Sequence, residues 1–335
     1  MPREVALRLL RERLRVRHYS YRTEQTYAEW VERFYRYLGE VNVDAKTEVT
    51  SQAVRDFLAH LAVQRRVSAS TQNQALGAVQ FLCSEVLGMS LDGIREGVRA
   101  KKGKHLPVVL SVPETVALLG QLEGTHKLMA SLLYGGGLRV SECVRLRVKD
   151  IDFDAGLLFV RAGKGNKDRS TLLPASIASA LKEHLDRVRA LHERDRAVGV
   201  AGVHMPDALA RKYPNAASEW AWFWVFPSRS LSADPRAQAI RRHHVSDGSI
   251  QRAVRDAARR ANLHKPVSVH TLRHSFATHL LLNGVDIRQI QDYLGHANVE
   301  TTMIYTHVVK DLRNPARSPL DLLADSASIR AADRG

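Results

Sequence analysis

Apolar side chains recur every three or four residues along most of this chain, and this spacing limits the possible folds more than any other feature. In TEQTYAEWVERFYRYL, for example, Tyr27, Trp30, Phe34 and Leu38 fall on one side of a helix. The stretch SQAVRDFLAHLAV repeats the pattern, and so does the stretch at 71–87. Roughly the first hundred residues are therefore predicted to be almost entirely helical.

One stretch has a different signature. LLFVRA and RSTLLP are rich in β-forming residues and flank the turn-like GKGNKD, which predicts a β-hairpin. Helical patterns return on both sides of it, most clearly in THKLMASLLY, HTLRHSFATHLLLNG and NVETTMIYTHVV. The alternation in EWAWFWVF predicts a further strand with its three tryptophans on one face. The expected fold class is mainly α with a small antiparallel β-sheet.

The basic stretch RAKKGKHLP has the composition of a linker, with Gly103 inside it and Pro107 at its end. A chain of 335 residues is also long enough for two domains. We therefore predict a domain boundary in this stretch. The predicted parts are a helical N-terminal domain at 1–98, the linker at 99–107, a second domain at 108–312 with an inserted segment at about 197–247, and a C-terminal tail at 313–335.

The chain carries 50 lysines and arginines against 35 acidic residues, for a net charge of +15 and a pI near 10.1. Such an excess favours a polyanionic partner, most commonly nucleic acid, although an ordinary solvated basic surface would give the same count. Cys83 and Cys143 lie in apolar helical patterns, which indicates buried reduced thiols. No apolar run is long enough to cross a membrane, and the N-terminus lacks a secretory apolar core, so a cytoplasmic protein is expected.

Five short motifs contain the residue types needed to cleave a phosphodiester without a metal. Such a reaction needs cations around the phosphate, an acid for the leaving oxygen and a nucleophile held in line. Arginines suit the first role because each presents a planar fork of donors. The candidates are Arg139 after the triple glycine, Lys164 in GKGNKD, His270 and Arg273 in HTLRH, His296 in LGH, and Tyr305 in the last helix. Each of them alone is better explained as ordinary surface, turn or core.

The neighbours of Tyr305 are mixed in character. Thr301 and Thr302 lie one turn before it, and Val308 and Val309 one turn after, so we expect that its face of the helix is not wholly buried. A free phenol has a pKa near 10 and attacks poorly unless its proton is removed or its anion is stabilised. Clustered arginine and histidine side chains would supply that stabilisation.

In this order and on these elements, the motifs resemble those of the tyrosine recombinases of the phage integrase superfamily, and the resemblance covers nearly the whole chain. It implies a two-domain, C-shaped clamp around DNA, with a helical, SAM-like core-binding domain at the N-terminus. By resemblance, Arg139 and Arg273 hold the scissile phosphate and His296 is a further phosphate ligand. Tyr305 attacks to form a 3′-phosphotyrosyl link, so neither metal, ATP nor any other cofactor is required.

The same resemblance implies supporting roles for other residues. Lys164 would protonate the leaving 5′-oxygen, and His270 would be its acid/base partner. Glu142, three residues after Arg139, would orient Arg139 or His270 without touching DNA. Strand exchange would proceed through a Holliday junction on a homotetramer bound to paired DNA sites. The tail at 313–335 would either dock on a neighbouring protomer or fold back on its own domain.

The inserted segment at about 197–247 resembles the extra segment of the integron integrases. That resemblance implies integration and excision of gene cassettes in bacteria, with a folded single-stranded cassette site recognised through bases extruded from its hairpin. Stacking of such bases requires aromatic faces. By resemblance, the DNA extrahelical-base contacts come from Trp222, Pro235, His243 and His244. Core packing is an equally good explanation for Trp220 and Trp224.

Other interpretations remain open at the level of sequence. A Xer-like or phage-type recombinase acting on duplex sites is the alternative within the enzyme class, and a non-catalytic DNA-binding protein is the alternative outside it. His270 and His274 have the spacing of two zinc ligands on a helix, but no cysteine pair or HExxH motif accompanies them, so a metal site is not expected. Neither a membrane nor a small-molecule substrate is expected as a partner.

Overall fold

The computed structural model describes residues 1–41, 49–90, 100, 107–161, 168–234, 237 and 239–313, and all of their side chains except those of 41, 207 and 307–313. The chain divides into two compact units, Met1–His105 and Leu106–Gly335. Four sequence predictions fall wholly or mainly outside the described residues: Lys164, Pro235, the linker at 99–107 and the tail at 313–335. In the part of the chain that is described, no helix is long and apolar enough to span a bilayer.

The first unit is built from helices, as its apolar periodicity predicts. They are α1 (Arg3–Val16), α2 (Tyr21–Val41), α3 (Ser51–Val63) and α4 (Ala69–Glu85). The hydroxyls of Thr50 and Ser68 accept hydrogen bonds from the first turns of α3 and α4, which fixes where these two helices begin. Phe34, Phe57 and Leu82 are among the fully buried side chains of one apolar cluster.

The second unit has helices around a small sheet. Its helices are α5 (Val112–Gly120), α6 (Gly124–Gly135), α7 (Val140–Val144), α8 (Ala178–Ala197), α9 (Asp207–Lys212), α10 (Asp247–Arg260), α11 (Val269–Leu282), α12 (Ile287–Leu294) and α13 (Glu300–Arg313). The predicted hairpin is present as β2 (Leu157–Val160) and β3 (Arg169–Leu172), which pair antiparallel, and the short β1 (Ile151–Asp152) extends it. The fold class, mainly α with small antiparallel sheets, is confirmed.

The strand predicted for EWAWFWVF is wrong. Trp220–Trp222 form one 3₁₀ turn, and Trp224 makes only an isolated bridge to Arg147. The segment instead contributes a separate small core, in which Phe223 and Trp224 are buried with Trp220 packed beside them. A second, two-stranded sheet follows, formed by β4 (Pro227–Ala233) and β5 (Ile240–His244). Tertiary packing here overrides the alternation of the local sequence.

The triple glycine between α6 and α7 allows three elements to meet. Gly137 has a φ of +60°, and a Cβ at this position would lie 2.4 Å from the ring of Phe276 on α11. The backbone here can therefore approach α11 closely. This approach brings the carbonyl of Gly137 and the start of α7 against the part of α11 that carries Arg273.

Candidate functional site

One carboxylate joins three arginines from different segments. Glu142, in the first turn of α7, accepts bonds from the Arg139 backbone N–H at 2.7 Å and from its guanidinium at 2.7 Å. Arg169 on β3 donates two further bonds to the same carboxylate, at 2.9 and 2.7 Å. The guanidinium of Arg273 lies 3.8 Å away. We call Glu142, Arg139, Arg169 and Arg273 the Glu142 junction.

The arginines decide the charge state of this carboxylate. Burial alone would raise the pKa of Glu142, but the hydrogen bonds and charges of Arg169 and Arg139 outweigh burial and lower it to about 2. Glu142 is therefore ionised at any physiological pH. Three guanidiniums and one carboxylate leave the junction with two net positive charges, a suitable setting for an anion.

Arg273 is the most deeply buried arginine of the junction, with 5% of its side chain exposed. Its guanidinium donates to the carbonyl of Gly137 at 2.5 Å and to that of Leu294 at 2.6 Å. It also lies 3.3 Å from Nε2 of His296. Burial and the nearby Arg139 lower its pKa to about 9, so it remains a cation. Arg139, by contrast, is 20% exposed and can meet a ligand from solvent.

The turn after α12 places His296 beside these arginines. Gly295 ends the helix in the left-handed conformation, with a φ of +61°, and a Cβ there would lie 2.7 Å from the side chain of Arg169. Nδ1 of His296 is 2.9 Å from the hydroxyl of the buried Thr302. Burial and the charge of Arg273 lower the pKa of His296 to about 3, so the imidazole is neutral.

Tyr305 is buried, which corrects the expectation that its face is partly open. Only 2% of the residue is exposed, because it belongs to an apolar cluster with Phe276 and Leu294, which lie on other helices. Its hydroxyl lies 2.9 Å from Nδ1 of His274. Burial raises the pKa of Tyr305 above 10.0, although the charges of Arg273 and Arg139 oppose that rise. The phenol is therefore protonated at neutral pH.

The structure thus brings together five of the residues singled out in the sequence: Arg139, Glu142, Arg273, His296 and Tyr305. His270 lies one turn before His274 on α11 and is exposed. Partial burial of its ring and the charges of Arg273 and Arg139 lower its pKa.

Sequence reasoning missed the roles of Arg169 and His274. Arg169 directly follows the hairpin turn, and nothing in its local pattern indicates a contact with Glu142. For His274, the spacing from His270 indicates only a possible metal ligand. The usable signal was the position of His274 next to Arg273, at the start of a helix that already carried two candidates.

The buried imidazoles predict that stability falls as the pH drops below 6.5. In the folded chain the pKa values of His274 and His296 are lowered from 6.5 to about 4 and about 3. Between those values and 6.5 only the unfolded chain takes up protons at these two sites, so stability present at neutral pH is lost on acidification. We expect Tm to be several degrees lower at about pH 5 than at about pH 7.5, as measured by circular dichroism.

Two variants isolate this contribution from other effects of acid. His274→Asn removes one titrating imidazole, and its Tm should fall less over the same pH range than that of the wild type. The exposed His264 provides the matched control, because His264→Asn should reproduce the wild-type fall. Equal Tm values for the wild type at the two pH values would contradict the prediction.

A second cluster of aromatic and cationic groups lies in the inserted segment. The ring of His243 stacks on that of Trp224, with centroids 6.0 Å apart and planes within 9°. The guanidinium of Arg147 lies 4.1 Å from the ring centre of Trp224 and 5.5 Å from that of Trp222. The Lys149 ammonium lies 2.8 Å from the ring centre of Trp222.

The members of this cluster differ in how accessible their rings are. Trp224 is 4% exposed and its indole N–H donates to the carbonyl of Arg242, so it belongs to the core. Trp222 is only partly buried. His243 and His244 are partly buried as well, and their rings meet edge to face at 4.8 Å. Burial lowers the pKa of both histidines, which favours neutral, stackable rings.

Comparison with known proteins identifies the family. Residues 108–311 match the model of the phage integrase family, and residues 7–92 match the phage integrase N-terminal SAM-like domain. The chain is 51% identical over 321 residues to an integrase/recombinase of Escherichia coli, covering 96% of this chain and 94% of the relative. It is 35% identical over 285 residues to the tyrosine recombinase XerD of Agrobacterium fabrum, covering 79% and 78%.

A solved structure shows the same fold. The XerH site-specific recombinase, bound to its palindromic difH substrate in a post-cleavage complex, superimposes with a TM-score of 0.57 at 23% identity, covering 89% of this chain and 80% of that one. The family match and the two relatives lead to one identification. The chain belongs to the phage integrase family and is a tyrosine recombinase, an enzyme that cleaves and rejoins DNA.

Proposed function

We propose that Tyr305 is the nucleophile of this recombinase and that Arg139 and Arg273 hold the phosphate it attacks. The observation that carries the proposal is a pair of contacts between α13 and the surroundings of Arg273. The Tyr305 hydroxyl lies 2.9 Å from His274, the residue after Arg273, and His296 lies between Arg273, at 3.3 Å, and Thr302, at 2.9 Å. A phosphate near Arg139 and Arg273 would therefore lie within the same electrostatic field as the phenol. His296, neutral and fixed by Thr302, would add a hydrogen bond to the phosphate.

The charge of the Glu142 junction suits the transition state. In-line attack on a phosphodiester spreads negative charge over the non-bridging oxygens and the departing oxygen. Two net positive charges, held by carbonyls and a carboxylate before DNA arrives, would stabilise this charge without reorganisation. Glu142 would act by positioning Arg139 and Arg169. Its contacts with them are the support for this role, and His270 is not among them.

Lys164 and His270 complete the proposed chemistry. Lys164, outside the described residues, would protonate the leaving 5′-oxygen, since in the sequence it lies between β2 and β3 and Arg169 stands at the start of β3. The exposed His270 would assist at the leaving-group side. No cofactor enters the reaction, because the phosphotyrosyl link conserves the energy of the broken bond.

We further propose that the enzyme is an integron integrase, which integrates and excises gene cassettes at folded single-stranded sites. The support is the aromatic cluster of the inserted segment. Trp222 offers the more accessible indole, and an extruded base stacking on it would displace the Lys149 ammonium toward the DNA backbone. His243 and His244 would line the same site, with Trp224 as the wall behind them, and Pro235 would contribute from outside the described residues.

Trp222→Ala should weaken binding to the folded single strand of a cassette site. Loss of one stacking partner costs about 1–3 kcal/mol, which corresponds to a rise in Kd of about 5- to 150-fold. Affinity for an equally long duplex should be unchanged. Fluorescence anisotropy with both DNAs measures the two values.

Tyr213 provides a matched control for this substitution. It lies in the same segment, is 46% exposed and has a lysine 5.3 Å from its ring centre. Tyr213→Ala should leave both affinities at their wild-type values. An unchanged Kd for Trp222→Ala on the folded strand would remove Trp222 from the base contacts.

The main competitor is a Xer-like or phage-type recombinase that acts on duplex sites. The 35% identity to a XerD protein favours this alternative. Binding and covalent-adduct formation on each separate strand of a cassette site, and on their duplex, distinguish the two. The integron proposal expects strong preference for one folded strand. Equal affinity for the two strands, with the duplex preferred, would favour the competitor.

A non-catalytic DNA-binding protein would give binding without an adduct. Denaturing gels of the protein with a nicked suicide site test this possibility, and mass spectrometry of the adduct identifies the residue that carries DNA. We expect the label on Tyr305. Strong binding with no adduct on any site would overturn the catalytic assignment.

We also propose that the active assembly is a tetramer on paired DNA sites. Strand exchange between two duplex arms requires four cleavages, and each protomer has one Tyr305. The helical unit at 1–98 would bind DNA, and the tail at 313–335 would dock on a neighbouring protomer. Light scattering of the protein with and without DNA measures the assembly.

A further inference from the structure

Among the described residues, the hydroxyl of Tyr305 has one close hydrogen-bond partner. That partner is His274, the second histidine of the HTLRH motif, and not His270, the first. Nδ1 of His274, on α11, lies 2.9 Å from the phenolic oxygen, which belongs to α13. The two rings pack at a tilt, with centroids 5.8 Å apart. The packing of the two rings keeps Nδ1 of His274 next to the phenolic oxygen, the atom that would attack DNA.

We propose that His274 is a catalytic residue, the base that takes the phenolic proton from Tyr305 as its oxygen attacks phosphorus. The proposal rests on the proposed role of Tyr305 as nucleophile. It assigns the proton to a different group from the exposed His270, which makes no side-chain hydrogen bond to any other described residue. His270 remains available to act on the leaving-group side.

The oxygen of Tyr305 forms a bond to phosphorus while its proton moves to Nδ1 of His274. The bond from phosphorus to the 5′-oxygen breaks, and that oxygen keeps the electron pair and takes a proton from Lys164. In the rejoining step a 5′-hydroxyl gives its proton back to Lys164, and the His274 imidazolium returns its own proton to Tyr305. No group is consumed over the cycle.

The surroundings of His274 keep its imidazole neutral. Burial and the nearby His270 and Arg273 lower its pKa to about 4, so the ring is neutral at physiological pH. In the tautomer that carries its proton on Nε2, the one this proposal requires, Nδ1 accepts the hydrogen bond of the Tyr305 hydroxyl. A DNA phosphate bound at Arg273 would offset one of the charges that weaken this base. Its basicity would therefore rise when substrate is present.

The test separates proton transfer from simple hydrogen bonding. In His274→Asn the amide oxygen can stand where Nδ1 stood and still accept the bond, but it cannot take the proton. In His274→Ala both functions are lost. General base catalysis contributes about 10²–10⁴-fold to a rate. We expect single-turnover cleavage of a suicide site to fall by about that factor in both variants, with Asn no better than Ala within a few-fold.

A substrate with sulfur in place of the bridging 5′-oxygen shows whether a variant is defective in protonating the leaving group or in activating Tyr305. A thiolate leaves without protonation, so this substrate should restore cleavage by Lys164→Ala and should not restore it for His274→Asn. DNA affinity and Tm, measured for each variant, confirm that the comparison is between folded proteins.

Several results would overturn the proposal. Near wild-type cleavage by His274→Asn would reduce the residue to a hydrogen-bond acceptor, and cleavage by His274→Ala at or above the wild-type rate would mean that the contact only holds Tyr305 in place. Rescue of His274→Asn by the sulfur substrate would move its role to the leaving group. An adduct formed by Tyr305→Phe would overturn the nucleophile itself. An inactive Tyr305→Phe beside an active His274→Asn would overturn only the base.

Discussion

Tyr305→Phe will abolish the covalent protein–DNA adduct while leaving DNA affinity near the wild-type value. The substitution removes one oxygen atom, and that atom is the proposed nucleophile. The aromatic ring stays in the apolar cluster with Phe276 and Leu294, so the fold should lose only the hydrogen bond to His274, worth about 1 kcal/mol. Denaturing gels measure the adduct, and anisotropy measures the affinity.

Tyr293→Phe is the matched control. Its hydroxyl accepts a hydrogen bond from Gln289, and its contact with Arg169 runs through the backbone carbonyl, which the substitution keeps. Adduct formation should therefore proceed at the wild-type rate. An adduct in Tyr305→Phe, or equal loss in both variants, would contradict the assignment.

Arg273→Lys will lower the cleavage rate by about 10²–10³-fold even though it keeps the positive charge. A single ammonium cannot reproduce the fork that reaches the carbonyls of Gly137 and Leu294 and also lies beside His296. Each carbonyl left buried without a donor costs about 1–3 kcal/mol, so the free energy of unfolding should fall as well. Single-turnover cleavage and urea denaturation measure the two effects.

Arg288→Lys provides the comparison for the same change of side chain. Arg288 is exposed on α12, where it bonds Gln291, and its replacement should leave both the rate and the stability unchanged. A wild-type rate for Arg273→Lys would contradict the prediction. It would mean that a positive charge at position 273 is enough to hold the phosphate and that the geometry of the guanidinium does not matter.

Local periodicity was enough to predict most helices and the hairpin. Two β-rich runs around a turn-like stretch predicted the hairpin, and the structure supplies its register, which pairs Leu157 with Leu172 and Val160 with Arg169. In EWAWFWVF the same reasoning failed. The carbonyl of Trp222 accepts a bond from Arg147, and the Trp224 ring packs on that guanidinium, so contacts with a distant residue shape the backbone there.

The sequence was enough to predict the residue types of the candidate site, but not which of these residues contact each other. Arg169 and Glu142 stand 27 positions apart, and His274 and Tyr305 stand 31 apart, so no local pattern carries either contact. The local sequence does not indicate the burial of Tyr305 for the same reason. The residues on its own helix are mixed in polarity, whereas the buried side chains that share its apolar cluster come from α11 and α12.

The Glu142 junction also limits how this enzyme can be recombined with its relatives. Arg169 binds the carboxylate that orients Arg139, and it fills the space where a side chain at position 295 would lie. A change in the hairpin, in α7 or in the turn after α12 therefore alters contacts made by the other two segments. Chimeras that exchange one of these segments should lose cleavage, whereas chimeras that take all three from a single parent should keep it.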